Sequence, residues 1–328
     1  MPTDSPIDDL LSKLQPLRDA LGRAVVGQHE VVEQLLIGLL AGGHVLLEGA
    51  PGLGKTLLVR SLGQALELQF RRVQFTPDLM PSDILGTELL EEDHGTGHRH
   101  FRFQQGPIFT NLLLADELNR TPPKTQAALL EAMQERTVSY AGTTYALPAP
   151  FFVLATQNPI EQAGTYPLPE AQLDRFLLHV RVDYPTEQEE RDILVQTTGS
   201  SGGTVPKVMH AEDVLALQAG VRQVHVSDDV LRWITRLVRA SRPGAGAPDA
   251  VNHWIKWGAG PRAGQSLVLA AKARALLQGR FAATRDDVQA LIAPVMRHRL
   301  LLSFAAEAEQ KGADDVIAAL LQAVPFPA

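Results

Sequence analysis

Short apolar runs that end in polar residues alternate with stretches of helical period through the first half of the chain. Val45, Leu46 and Leu47 run into glycine and proline, too short for a helix and well punctuated for a strand. "FRRVQF" (70–75), "TNLLLADELNR" (110–120), "FFVLATQNP" (151–159) and "RFLLHVRV" (175–182) have the same form, and the second and third also end in polar residues. Helical period precedes and separates them, over 7–21, 27–42 and 56–68. Apolar strands alternating with helices predict an α/β fold with a parallel sheet covered on both faces. Its ligand is then expected beyond the carboxyl ends of the strands, where the polar residues fall. "TVSYAGTTYALP" (137–148) alternates around a turn and predicts a projecting hairpin.

Beyond Tyr184 the period is helical only, in "PTEQEERDILVQ", "SDDVLRWITRLVRA", "RAGQSLVLAAKARALLQ", "TRDDVQALIAPVMRHRL" and "GADDVIAALLQAV". Ser227 and Thr284 each stand before acids, an N-capping pattern. "SSGGTVP" and "SRPGAGAPDAVN" are the breaks. The expected organisation is an α/β domain over 1–186 and an all-α domain over 187–328.

Composition changes this picture little. Of 328 residues, 45% are hydrophobic and 20% charged, ordinary for a globular chain of two domains. The net charge of −7 gives no overall basic field toward nucleic acid or anionic lipid. The absence of cysteine excludes disulfides, thiolate metal sites and cysteine nucleophiles. No basic, apolar leader opens the sequence and no apolar run reaches membrane-spanning length, so the expected location is cytoplasmic, without membrane insertion.

Chemistry enters at "GAPGLGKT", which follows the first strand and opens a helix. The spacing G-x-x-x-x-G-K-T runs from Gly49 to Thr56. Backbone N–H groups of Gly49, Ala50, Pro51, Gly52, Leu53, Gly54, Lys55, Thr56 and Leu57, proline excepted, surround the place where phosphates would sit. Lys55 would reach the β and γ oxygens, and the Thr56 hydroxyl would hold Mg2+. The expected ligands are therefore ATP or ADP with magnesium.

Three further stretches add candidates. Asp116 closes a buried strand, where a carboxylate holds magnesium, and Glu117 beside it suits polarisation of an attacking water. The pair favours hydrolysis over transfer to a metabolite, although a solvated strand end would look similar. Asn158 ends another strand, placed either to bridge a γ-phosphate and water or simply to form a turn before Pro159. Arg175 either pairs with Asp174 or a nearby acid or stabilises charge on a transferring phosphoryl group, and Arg262 is either a lone cation or one that meets phosphate. For Arg262, at the start of a helix, the dipole disfavours a bare cation.

"GAPGLGKT", "LADELNR", "ATQNP", "EAQLDRF" and "GAGPRAG", in this order, resemble AAA+ ATPases of the MoxR family. The likeness also takes in "GPIFTNLLLADELNRTPPKTQAALLEAMQE" and "VMRHRLLLSFAAEAEQ", and so covers nearly the whole chain. It implies a five-stranded AAA+ core, a helical lid, a helix-2 insert at about 76–104 and a ring, commonly a hexamer, with ATP between subunits. Position by position it implies Asn158 as sensor 1, Arg175 as the arginine finger and Arg262 as sensor 2. Val26, Gly27 and Gln28 would lie against adenine. It also implies chaperone-like action on client proteins, often beside a von Willebrand factor A-domain protein. A nucleic-acid motor or loader is the alternative, disfavoured by the acidic balance. A nucleotide-gated binding protein with little hydrolysis is disfavoured by Glu117. His94, His98 and His100 crowd a glycine-rich turn of the insert without carboxylate or thiolate partners at ligand spacing, and are expected to be an exposed tip rather than a metal site.

Overall fold

The computed structural model describes residues 6–50, 52–92, 99–158, 164–198 and 205–327, with residues 6–8 and 197 described by backbone only. Helices α1 (Pro6–Ala24) and α2 (His29–Leu40) precede strand β1 (Val45–Gly49), which leads into α3 (Lys55–Ala65) and β2 (Phe70–Gln74). Then come α4 (Pro81–Leu85) and the antiparallel pair β3 (Gly86–Glu92) and β4 (Arg99–Gln105). β5 (Leu112–Asp116), α5 (Pro123–Glu135), β6 (Thr137–Tyr140), β7 (Thr143–Ala146), β8 (Phe152–Gln157), α6 (Glu170–Leu173) and β9 (Leu178–Val182) follow.

Five of these strands form one sheet in the order β2-β5-β8-β1-β9, and every neighbouring pair is parallel. Successive residues of a strand point to opposite faces, so a strand covered on both sides must be apolar throughout. Leu47, Leu114, Leu154 and Val180 pack with α1, α2 and α3, whereas Leu46, Leu113 and Val153 pack with α5. Full burial of one such leucine contributes about 2 kcal/mol.

The second half holds α7 (Glu187–Thr198), α8 (Ala211–Gln223), α9 (Asp228–Ala240), α10 (Asp249–Trp254), α11 (Pro261–Leu277), α12 (Arg285–Met296), α13 (Phe304–Ala308) and α14 (Ala313–Ala323). Ser227 caps α9 by accepting from Val230 N at 3.4 Å, and Asp287 caps α12 by accepting from Thr284 N at 2.8 Å. The region is not all-α. β10 (His225–Val226) pairs with β12 (Ala282–Ala283), and β11 (Ile255–Trp257) with β13 (Leu301–Leu302). Each pair joins segments that lead into or out of helices and so satisfies loop backbone groups that would otherwise lack partners.

The helical half is fastened to the sheet by Arg299, whose side chain is 2% exposed. Its Nε donates to Asp174 Oδ1 at 2.6 Å, and Nη2 donates to the carbonyl of Phe176 at 2.7 Å and to Ser266 Oγ at 3.2 Å. One buried guanidinium thus joins the segment before β9 to α11. Burial pushes the Arg299 guanidinium down, and Asp174 opposes that shift.

Of the histidine-rich turn, His94 and His98 lie outside the described residues. His100, on β4, is exposed and stands 3.7 Å from the Glu91 carboxylate.

A candidate nucleotide site at the carboxyl edge of the sheet

β1 ends at Gly49, where a Cβ would stand 2.7 Å from the Val182 carbonyl of β9. Only glycine lets the two strands end side by side. Gly52 and Gly54 then adopt positive φ, 83° and 74°, and Gly54 is the N-cap of α3. The turn leaves the N-terminal N–H groups of α3 pointing off the sheet, the arrangement that accepts an anion. Pro51 lies outside the described residues. Lys55, the first residue of α3, donates Nζ to the Gly49 carbonyl at 2.7 Å and so lies along the loop. Burial pushes its pKa down, while Asp116 and Glu117 pull it up. Thr56 and Leu57 are exposed on the first turn of the helix.

The acidic pair stands across from this loop, at the end of β5. Asp116 Oδ1 accepts from Thr156 Oγ1 at 2.6 Å, and Oδ2 accepts from Arg72 Nη2 at 2.7 Å. Glu117 has φ 57° and ψ 49°, a left-handed conformation that is uncommon for non-glycine residues and is shared here by Glu67, Arg136, Ala141 and Gln310. Its N–H donates to Thr156 Oγ1 at 2.8 Å, which helps fix the turn. Its carboxylate accepts from Gln74 Nε2 at 2.8 Å and from Arg120 Nη1 at 2.8 Å. Neither Thr156, Arg72, Gln74 nor Arg120 is singled out by sequence reading. Their signal is position alone: Arg72 and Gln74 lie on β2 and Thr156 on β8, the strands flanking β5.

Asn158 follows β8 and is buried at 5% exposure, with a partner in the structure. Val26 and Gly27 lead to Gln28, whose Nε2 donates to the Leu53 carbonyl at 2.7 Å, so this segment touches the phosphate loop directly. Gly27 and Gln28 also line a cleft of about 340 Å³ with Tyr184 and Glu189.

Arg175 and Arg262 lie elsewhere. Both line a cavity of about 230 Å³ with Gly42, Gly43 and His44, at the opposite end of β1 from the loop. Asp174, adjacent to Arg175, is taken by Arg299. Among the described residues, neither Arg175 nor Arg262 has a carboxylate within ion-pair distance. The structure therefore gathers the loop, Val26–Gln28, Asp116, Glu117 and Asn158 at one edge, and the two arginines at the other.

Magnesium suits the first edge. Thr56 and Asp116 offer hard oxygens, and no cluster of three or more His, Cys, Asp or Glu ligands occurs among the described residues.

Comparison with known proteins agrees with this geometry. Residues 44–178 match the profile of the ATPase family associated with various cellular activities (AAA), and residues 249–320 match the AAA lid domain. "Chaperone MoxR1" of Mycobacterium tuberculosis is 44% identical over 93% of this chain and 80% of its own length. "Protein MoxR" of Paracoccus denitrificans is 35% identical over 99% of each. A crystal structure from Cytophaga hutchinsonii, of a protein provisionally described as an ATPase, superposes with a TM-score of 0.90 at 40% identity, covering 98% of this chain and 96% of that one. The five-stranded parallel sheet, the phosphate loop and these relatives lead to one assignment: the chain belongs to the MoxR family of AAA+ ATPases.

Proposed function

We propose that the chain is a magnesium-dependent ATPase that works as a homo-oligomeric ring, hexameric in the family's usual form, and remodels or activates partner proteins. The observation that carries hydrolysis is the Asp116–Glu117 pair, fixed beside the phosphate loop by the single hydroxyl of Thr156. We take the division between core and lid to fall between residues 186 and 187, a reading supported by the start of α7 at Glu187.

In this reading Lys55 leaves the Gly49 carbonyl for the β and γ oxygens, and Val26, Gly27 and Gln28 flank the base. Thr56 and Asp116 hold Mg2+, which supplies neutralising charge to the phosphates when bound. For Asp116 to do so directly, Arg72 must yield one of its hydrogen bonds. Glu117 accepts the proton of the water that attacks the γ-phosphorus, as the bond to the ADP oxygen breaks, and Asn158 orients that water. Gln74 and Arg120 hold the Glu117 carboxylate until then.

Arg175 and Arg262 serve a neighbour's nucleotide. Strands rise about 3.3 Å per residue, so the five steps from His44 to Gly49 put the arginine cavity about 16 Å from the chain's own loop. A protomer with a phosphate site at one end and unpaired arginines at the other suits a head-to-tail interface that closes into a ring. A client is the expected partner, and a von Willebrand factor A-domain protein is a second. A cytoplasmic setting fits, and no described helix is long and apolar enough to cross a membrane.

The test is ATP turnover by the wild type, Lys55→Ala and Glu117→Gln with magnesium. Glu117→Gln is expected to bind ATP and lose turnover. Wild-type turnover by that variant would refute the assignment.

A further inference from the structure

The helical half carries a groove whose purpose the protomer alone does not explain. It runs between α9 and α11, encloses about 890 Å³ and is floored by Ile234, Val238 and Val268. Arg222, Arg239 and Arg242 stand on its rim. Gln265 and Leu269 line both this groove and the cavity of Arg175 and Arg262, so the two are continuous. Gly264 lies in the groove, inside α11, where glycine is unfavourable for a helix. A Cβ there would meet only Ile234 and Val238 methyls at 3.7 Å, an ordinary contact. Packing within the protomer leaves room for a side chain at that position, and glycine keeps the groove open for close approach by a second helix.

The opposite end of the same protomer presents an exposed helix. α7 exposes Leu194 at 62% and Val195 at 68%. Glu190 and Glu187 are exposed about one and two turns earlier, and Glu190 and Leu194 are neighbours at i and i+4 on one face. The helix starts beside the nucleotide edge, since Glu189 and Tyr184 line the cleft with Gly27 and Gln28. An acidic helix with an apolar patch thus lies next to the phosphate loop, and a basic-rimmed apolar groove lies next to the arginine cavity.

We propose that the α9–α11 groove of one subunit receives α7 of the neighbouring subunit, the same neighbour whose nucleotide meets Arg175 and Arg262. The occupant is a second copy of this chain, chosen by charge and by continuity. Leu194 and Val195 cover the floor, and Glu187 and Glu190 face the rim arginines. The proposal rests on the ring reading, and makes α7 the element through which an occupied site is sensed by the adjoining lid. Rim charges of this kind act chiefly on partner choice and association rate, and salt weakens them.

The absence of cysteine makes the test clean. Leu194→Cys and Leu231→Cys, the second on the exposed side of α9, each introduce one thiol into a separate chain. The two are mixed with ATP and magnesium and treated with a short bis-maleimide. The expected product is a Leu194→Cys to Leu231→Cys pair in excess over either homodimer and over a Leu215→Cys control. In parallel, the double change Glu187→Arg with Glu190→Arg, or Arg222→Glu with Arg239→Glu, should each weaken assembly by roughly tenfold or more, and the combined variant should recover most of it. Gly264→Met, which fills the groove, should weaken assembly and leave ATP affinity unchanged. If rings form, and chains lacking Arg175 complement chains lacking Glu117, but the cross-link and charge rescue fail, the docking is wrong and the ring reading stands. If no assembly forms under any nucleotide, both are overturned.

Discussion

Single residues decide the chemistry through the strands that hold them. Thr156 is the clearest case, because its one hydroxyl donates to Asp116 and accepts from the Glu117 backbone. Thr156→Val should therefore leave two polar groups unsatisfied at a cost of about 1–3 kcal/mol. Turnover should fall while ATP affinity stays near wild type, which nucleotide titration and steady-state rates can separate. Lys55→Ala should instead weaken binding by about 2 kcal/mol, roughly thirtyfold. Glu117→Gln should lower turnover by roughly 10²–10⁴-fold with binding kept. His44 gives a pH prediction. Its Nδ1 accepts from Val153 N at 3.0 Å, so in the neutral ring Nε2–H donates to the Met133 carbonyl at 3.0 Å. Burial pushes its pKa down to about 4 from the ordinary 6.5, and the Met133 hydrogen bond only partly opposes this. The folded protein then binds fewer protons than the unfolded chain between those values. Stability is held above pH 6.5 and is lost as pH falls toward 4, by about 3 kcal/mol from this group. The stability difference between wild type and His44→Gln should shrink or reverse by that amount over the window, measured by urea unfolding. The sequence shows Lys55, Asp116 and Glu117 because glycine spacing and strand ends mark them. It hides Thr156 and Arg72, whose roles exist only once β2, β5 and β8 lie side by side, and His44, whose role needs β1 beside β8 and above α5.

Elements were legible where burial is simple. The three inner strands β5, β8 and β1 are covered on both faces and leave nearly continuous apolar runs in the sequence, whereas the edge strand β2 exposes Arg71 and Arg72. α8 was missed: Val214, Leu217 and Val221 follow a helical period, but alanine and glycine dilute it between two loops. The short strands β10 to β13 carry no periodicity at all, being two or three residues long. Thr137–Tyr140 and Thr143–Ala146 form the expected hairpin, and β3–β4 forms another, of seven residues a side. That second hairpin exposes Leu90 at 55% and Phe101 at 69%, and stacks Phe103 on Tyr145 of the β6–β7 hairpin at 4.5 Å. Removing residues 93–99 should leave ATP affinity near normal and weaken client binding, measured by nucleotide titration and co-purification. A large loss of nucleotide affinity in the folded variant would place the hairpin in the site instead. Arg299 binds two elements together, and Arg299→Met should destabilise the chain by about 3 kcal/mol, since carbonyls and Asp174 lose their donor. The same change should lower turnover, because the freed 174–177 segment carries Arg175. Denaturant unfolding and turnover at a temperature where the variant remains folded check the two effects.

At the scale of the whole molecule, the separation of the two functional edges is the governing fact. The phosphate loop, Asp116 and Glu117 lie where β1 and β5 end, while Arg175 and Arg262 lie where β1 begins. In the proposed reading a neighbouring subunit supplies the arginines that a protomer's own site lacks. Specific activity should therefore rise with protein concentration as subunits associate. Arg175→Ala should reduce turnover by roughly a thousandfold with little change in ATP affinity, because a finger's charge acts on the transition state. The sequence contains both arginines but not their distance from Lys55, which only the sheet order and strand length supply. The most direct measurement mixes Arg175→Ala with Glu117→Gln, each inactive alone. In mixed rings some interfaces join the intact Glu117 of one subunit to the intact Arg175 of its neighbour, and ATP hydrolysis should return. Verified mixed rings that recover no hydrolysis, together with Arg175→Ala turning over at the wild-type rate, would contradict the account.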